Sequence, residues 1–225
     1  MPIGPDRIAG GLLVLLFGAG GAALTGEARA QSAAEPPRVG TADLLSPTPV
    51  AAEPVWGAAV FLGASGGGAD LHVLAYKPWH IDPSDHVFAG TAVSRRLARF
   101  WTDFTVEAEV GAGQRVGNRY HASEAWVAGY LRYDGFPWNR FVKTSVAFST
   151  GLNIIDNLPS EETRRADKHH SHLLHYFSPE VTFALPEAPN HELVVRFQHR
   201  SGVFGTFNGV WGGSNVVAVG YRYRW

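Results

Sequence analysis

Leu193-Val194-Val195-Arg196-Phe197-Gln198-His199-Arg200-Ser201 and Asn215-Val216-Val217-Ala218-Val219-Gly220-Tyr221-Arg222-Tyr223-Arg224-Trp225 flank a Gly-rich loop near the C-terminus. Both arms alternate with period two, the signature of a β-strand. In the second arm Val217, Val219, Tyr221, Tyr223 and Trp225 share one face, and Ala218, Gly220, Arg222 and Arg224 share the other. Such a strand suits a barrel standing in a membrane, where lipid takes the apolar face and a polar lumen takes the arginines. In the first arm Leu193, Val195 and Phe197 set the apolar face, and parity carries His199 and Ser201 onto the same lipid side. Packing does not explain a His and a Ser facing lipid at a strand end, so the function is to be sought there.

The same alternation predicts strands near 56–64, 86–97, 103–115, 121–133, 140–154, 172–185, 191–201 and 214–225. The third is the clearest, with Phe104, Val106, Ala108 and Val110 opposite Thr105, Glu107, Glu109 and Gly111. Two carboxylates spaced two apart, facing away from an apolar row, indicate a polar interior. The fifth sets Val142, Val146 and Phe148 against Lys143, Ser145 and Ser149, and the sixth sets Val181, Phe183 and Leu185 against Ser178, Glu180 and Thr182. Short turns are expected at Ala98–Trp101, Asp134–Pro137 and Pro186–Pro189, and longer loops at 65–85, 155–171 and 202–213, with a brief one around Gly117. Even strand number, short turns at one end and longer loops at the other describe an eight-stranded antiparallel outer-membrane β-barrel, placed over 55–225. A soluble β-sandwich would need its apolar rows to face each other across a core. It would not account for an export signal together with a C-terminal aromatic. Leu71 to Tyr76 either extends the first strand or forms a loop element.

The N-terminus supplies that export signal. Arg7 makes a positive start, Leu12 to Leu16 and the small residues after them an apolar stretch, and Ala28-Arg29-Ala30 a small-x-small cleavage site. Residues 1–30 therefore read as a signal peptide, and 31–54, rich in Ala, Pro and Glu, as a flexible periplasmic lead-in. After Val55 no stretch offers ~18 uninterrupted apolar residues for a transmembrane helix. The chain has 225 residues, no Cys, and 19 basic against 20 acidic side chains. This excludes a disulfide framework, a thiolate metal site and a lipid-anchoring cysteine. It also removes the electrostatic case for a nucleic-acid partner.

If the final hairpin loop centres near Phe207, Asn215 falls opposite His199 on the lipid face. Ser201, His199 and Asn215 then form a nucleophile, a general base and an orienting acceptor at the outer membrane boundary. A lipid-facing nucleophile implies a substrate arriving sideways from the leaflet. His-x-Ser alone also fits two polar side chains at headgroup level. Asn208, in the same loop, could donate to an oxyanion, or serve with Gly209 as a turn dipeptide. Glu180 points into the lumen by parity and is a poorer triad candidate; Glu107, Glu109, Glu124, Glu180, Arg132 and Arg196 are expected to fill a narrow lumen with a charge network. His169, His170, His172 and His175 lie in an expected outer loop or strand start without companion ligands, apart from Asp167, and read as a solvated loop rather than a metal site. Gly66-Gly67-Gly68 lacks what a phosphate loop requires after it.

The stretch Leu193 to Gly202, with Gly212-Gly213-Ser214-Asn215 before a strand ending Gly220-Tyr221-Arg222-Tyr223-Arg224-Trp225, resembles the lipid A 3-O-deacylase family and its acyloxyacyl-hydrolase relatives. Pro179-Glu180-Val181-Thr182-Phe183-Ala184-Leu185-Pro186 is also similar. The likeness covers the C-terminal quarter and extends over the rest only as barrel pattern. It implies an eight-stranded barrel that hydrolyses an ester-linked acyl chain of lipid A, with His199 as base and Ser201 as nucleophile. The family's third member is a Glu on the last strand, and here Gly213-Ser214-Asn215 holds no carboxylate. Two functions are thus expected to compete. One is an outer-membrane lipid A esterase that needs no cofactor or metal, with lipopolysaccharide as partner. The other is a non-catalytic small barrel with a structural or surface-interaction role. A homodimer is left open by the sequence.

Overall fold

The computed structural model describes residues 53–66, 86–163 and 169–225. The expected signal segment, the lead-in up to residue 52 and Leu71–Tyr76 lie outside these residues. Among the described residues nine strands form: β1 (Trp56–Ser65), β2 (Val87–Phe100), β3 (Phe104–Gly117), β4 (Tyr120–Tyr133), β5 (Lys143–Ile155), β6 (Leu173–Phe177), β7 (Glu180–Leu185), β8 (Ala188–Ser201) and β9 (Gly213–Arg224). A four-residue helix, α1 (Ser160–Thr163), lies between β5 and β6. β6 and β7 are two halves of one wall strand, each pairing with β5 on one side and β8 on the other. The break falls at Ser178-Pro179, because proline has no N–H for the ladder; the Ser149 hydroxyl accepts the Ser178 N–H at 2.7 Å. Every neighbouring pair is antiparallel, and β9 pairs back onto β1 from Gly57↔Arg224 to Ser65↔Val216. The ring therefore closes on eight strands, as the alternation predicts.

Three boundaries differ from expectation, each for a local reason. β5 begins at Lys143 rather than 140, because Asn139 ties the preceding turn by donating to the Asp134 carbonyl and accepting the Thr144 N–H at 2.8 Å. Lys143, paired with Ala184, keeps the lumenal side of Ser145 and Ser149, and is exposed because it stands at the strand start in the barrel mouth. β2 runs on to Phe100, and the turn is made by Trp101 and Thr102, both at positive φ. β8 starts at Ala188, which shortens the expected Pro186–Pro189 turn to two residues.

Parity decides what each face meets. Leu62 (72% exposed), Val110, Val127, Leu131, Phe148, Leu193 and Val219 all point outward. A continuous apolar wall of this extent has no place on a water-soluble monomer. A bilayer covers it, as in outer-membrane barrels. Inside, Glu107, Glu109, Glu180 and Glu192 meet Arg132, Arg196, Arg222 and Arg224. Glu180 is the hub: Arg132, Arg222 and Arg196 donate to it at 2.7, 2.7 and 2.9 Å. Charges taken from water persist only when paired and hydrogen-bonded, and four carboxylates against four guanidiniums satisfy that condition. Toward the outer end Phe61, Phe88, Trp126, Tyr130 and Tyr176 pack the lumen, and Trp126 donates to Glu109 at 2.8 Å. The interior of an eight-stranded barrel is just wide enough for side chains to fill, and here they fill it.

Candidate active site

β8 and β9 carry the predicted residues to the extracellular end on the outer surface. The hairpin register places His199 opposite Asn215 and Ser201 opposite Gly213. Outward parity continues from Leu193, Val195 and Phe197 through His199 to Ser201, as expected. His199 Nδ1 lies 2.6 Å from Asn215 Oδ1. Because an amide oxygen only accepts, His199 Nδ1–H is the donor of this bond. Asn215 is buried although it belongs to the lipid-facing row.

Ser201 is half-buried, two residues beyond His199 on the same face. Among the described residues its hydroxyl forms no hydrogen bond. Catalytic hydrogen bonds are often loose without substrate and tighten on binding. The backbone beside Ser201 is tightly built: a Cβ at Gly213 would lie 2.0 Å from the Arg200 carbonyl oxygen and 2.9 Å from both Ser201 Cα and Cβ. Glycine at 213 is what lets β9 pass Ser201. The loop that follows is closed at its root by Gly202 N–H to Gly212 O at 3.0 Å.

The inner side of this strand pair is anchored from within the barrel mouth. Glu162 of α1 accepts Arg200 Nη1 at 2.9 Å and the Ser214 hydroxyl at 2.6 Å. Arg115 in turn donates to Ser214 Oγ at 3.1 Å and to Glu124 at 2.9 Å. Arg200 and Ser214 are the lumenal neighbours of His199 and Asn215, so the charge cluster inside holds the backbone that presents the site outside.

The remaining candidates take other places. Both bonds from Asn208 Nδ2 go to Ser171 Oγ (2.8 Å) and Leu173 O (3.2 Å), and its φ of 54° suits a turn. The Asn208 side chain thus ties the 202–212 loop to the start of β6. Glu180 faces the lumen, as its parity predicted. Of the histidine cluster, His169 and His170 are exposed, and His172 donates from Nδ1 to Ile155 O at 2.7 Å. His175 turns outward on β6, where its Nε2 lies 3.0 Å from Thr150 Oγ1 and its ring 5.7 Å from that of Phe207. Among the described residues no group of three or more His, Cys, Asp or Glu side chains is arranged to hold a metal. Sequence reasoning missed His175 as a neighbour of Ser201. It shares parity with Leu173 and Phe177 in a lipid-facing row, and that signal could have found it. Glu162 carried no signal at all.

No protein-family profile and no curated protein matches the chain. Solved structures do. The crystal structure of the outer membrane enzyme PagL superposes with a TM-score of 0.55 at 12% identity, covering 74% of this chain and 98% of that one. Neisserial surface protein A matches with a TM-score of 0.45 at 13% identity, covering 76% and 96%. The N-terminal barrel domain of Pseudomonas aeruginosa OprF matches with a TM-score of 0.42 at 10% identity, covering 77% and 98%. At these identities the likeness is one of fold, and the chain is an outer-membrane β-barrel of the eight-stranded kind.

Proposed function

We propose that this barrel is an esterase of the lipid A deacylase type, removing an ester-linked acyl chain from lipopolysaccharide in the outer leaflet. The observation that carries the reading is the 2.6 Å bond between His199 Nδ1 and Asn215 on the lipid-facing wall, with Ser201 following on the same face. Ser201 Oγ attacks the acyl carbonyl while His199 Nε2 takes its proton. The tetrahedral intermediate collapses, the sugar alkoxide leaves with that proton, and the acyl group stays on Ser201. Water then attacks the acyl-enzyme, giving its proton to His199, and Ser201 departs reprotonated as the fatty acid is released. Asn215 fixes the tautomer and orientation of His199. These steps call on no metal or cofactor. The C-terminal stretch that resembles lipid A 3-O-deacylases supports the substrate, and so does the position of the site, which a membrane lipid reaches without leaving the leaflet.

The competing reading is a non-catalytic barrel that stabilises the envelope or binds a partner through its loops. It draws on the uncharged third position and the unbonded Ser201 hydroxyl. Mass spectrometry of lipid A from cells with and without the chain separates the two. Loss of one acyl chain with wild type, absent with Ser201→Ala and with His199→Ala while both variants keep heat-modifiable migration, is the expected result. Identical lipid A in all strains overturns the esterase.

A further inference from the structure

Ser201 stands between two imidazoles, and only one of them is engaged by the mechanism above. His175 on β6 is directly across from Ser201 in the sheet, which sets their Cα atoms about 5 Å apart. His199 is two residues back along β8, about 7 Å by strand rise. All three side chains share the outer face. Two fixed contacts hold His175. Thr150 Oγ1 is 3.0 Å from Nε2, and Phe207, folded back by its N–H bond to Gly202 O at 2.9 Å, packs on the ring. The Thr150 hydroxyl has no other side-chain partner among the described residues. When it donates to Nε2, the ring proton of His175 lies on Nδ1.

Resting on the esterase reading, we propose that His175 is the oxyanion donor of this site. Its Nδ1–H meets the carbonyl oxygen as Ser201 attacks, and Thr150 is the positioning residue that selects the donating tautomer. A neutral imidazole can act as an electrophile in this way, and a fixed donor aimed at developing charge is among the largest contributions to acyl transfer. The role is open because Asn208, the other amide near the loop, spends its donors on Ser171 and Leu173. It also divides the work of the two histidines. Asn215 leaves His199 with a basic Nε2, and Thr150 leaves His175 with an acidic Nδ1–H.

The test uses the full-length barrel refolded in detergent with lipid A, together with a serine-directed fluorophosphonate. His175→Ala and His175→Phe should each lower kcat about 10²-fold with KM little changed. His175→Asn, whose amide nitrogen sits close to the position of Nδ1, should stay within tenfold of wild type. ¹⁵N spectra of labelled histidine should show the His175 proton on Nδ1 in wild type and its redistribution in Thr150→Val. His175→Phe matching wild type would make the ring a packing group and overturn the proposal. So would His175→Asn as inactive as His175→Ala, or a proton found on Nε2. If wild type itself releases no fatty acid and takes no phosphonate at Ser201, the esterase reading falls and this role with it. If wild type reacts and His175→Ala reacts equally, the esterase stands and only the oxyanion role is lost.

Discussion

Arg200 and Glu162 meet inside the barrel mouth, with Arg200 Nη1 2.9 Å from both carboxylate oxygens, and Arg200 is the residue between His199 and Ser201. One buried carboxylate from a loop helix therefore braces the wall segment that displays the candidate nucleophile and base. It also receives Ser214, the neighbour of Asn215. Glu162→Ala should leave Arg200 with only the Ser171 and His172 carbonyls and Ser214 without its acceptor, loosen the end of the β8–β9 pair, and lower kcat about tenfold with the barrel still closed. Breaking a buried pair from one side costs about 3 kcal/mol, to be read as a lower unfolding midpoint in urea. An unchanged kcat would show that the inner clamp does not reach the outer face.

Asn215 can orient His199 but cannot stabilise its protonated form by charge. Asn215→Asp should hold or raise kcat where the carboxylate reaches Nδ1. A neighbouring negative charge favours the imidazolium and raises the His199 pKa. Since the base must be neutral to act, the acid limb of kcat/KM should move to higher pH by about one unit. Asn215→Ala should cost less than His199→Ala. A pH–rate comparison of the three proteins decides it, and an acid limb that stays put in Asn215→Asp would mean that residue 215 does not face the working base.

Gly213 has no room for a side chain beside Ser201. Gly213→Ala should therefore push β9 away from Arg200 and Ser201 and reduce deacylation at least tenfold. Gly129→Ala on β4 is the control, because a Cβ there meets nothing within 4 Å. Equal activity of the two variants would count against a tight site at Ser201.

The lumenal network should matter for stability and not for chemistry. Glu180 binds three arginines, and Glu180→Ala leaves them underpaired in a closed space. The expected loss is about 3–5 kcal/mol of unfolding free energy, with the surviving folded fraction deacylating at the wild-type kcat. Urea unfolding alongside single-turnover kinetics measures both quantities.

Much of this was legible before any coordinates. Alternation along β3, β5, β8 and β9 named the lipid-facing and lumenal residues correctly, because a strand turns successive side chains to opposite faces whatever its partners. The break at Ser178-Pro179 and the late start of β5 were not legible. The first depends on how much of a continuous alternating run can pair around a proline, the second on an Asn139 side chain that replaces ladder bonds.

The candidate site divides along the same line. Centring the 202–213 loop near Phe207 was enough to set His199 opposite Asn215, and parity was enough to put both on Ser201's side of the wall. Ring closure, the burial of Glu162 under Arg200 and Ser214, and the arrival of His175 and Thr150 beside Ser201 join residues tens of positions apart. No period in the sequence encodes those distances. They follow from strand stagger around a closed barrel and from the charge pairing that a narrow lumen demands, and only the tertiary structure decided them.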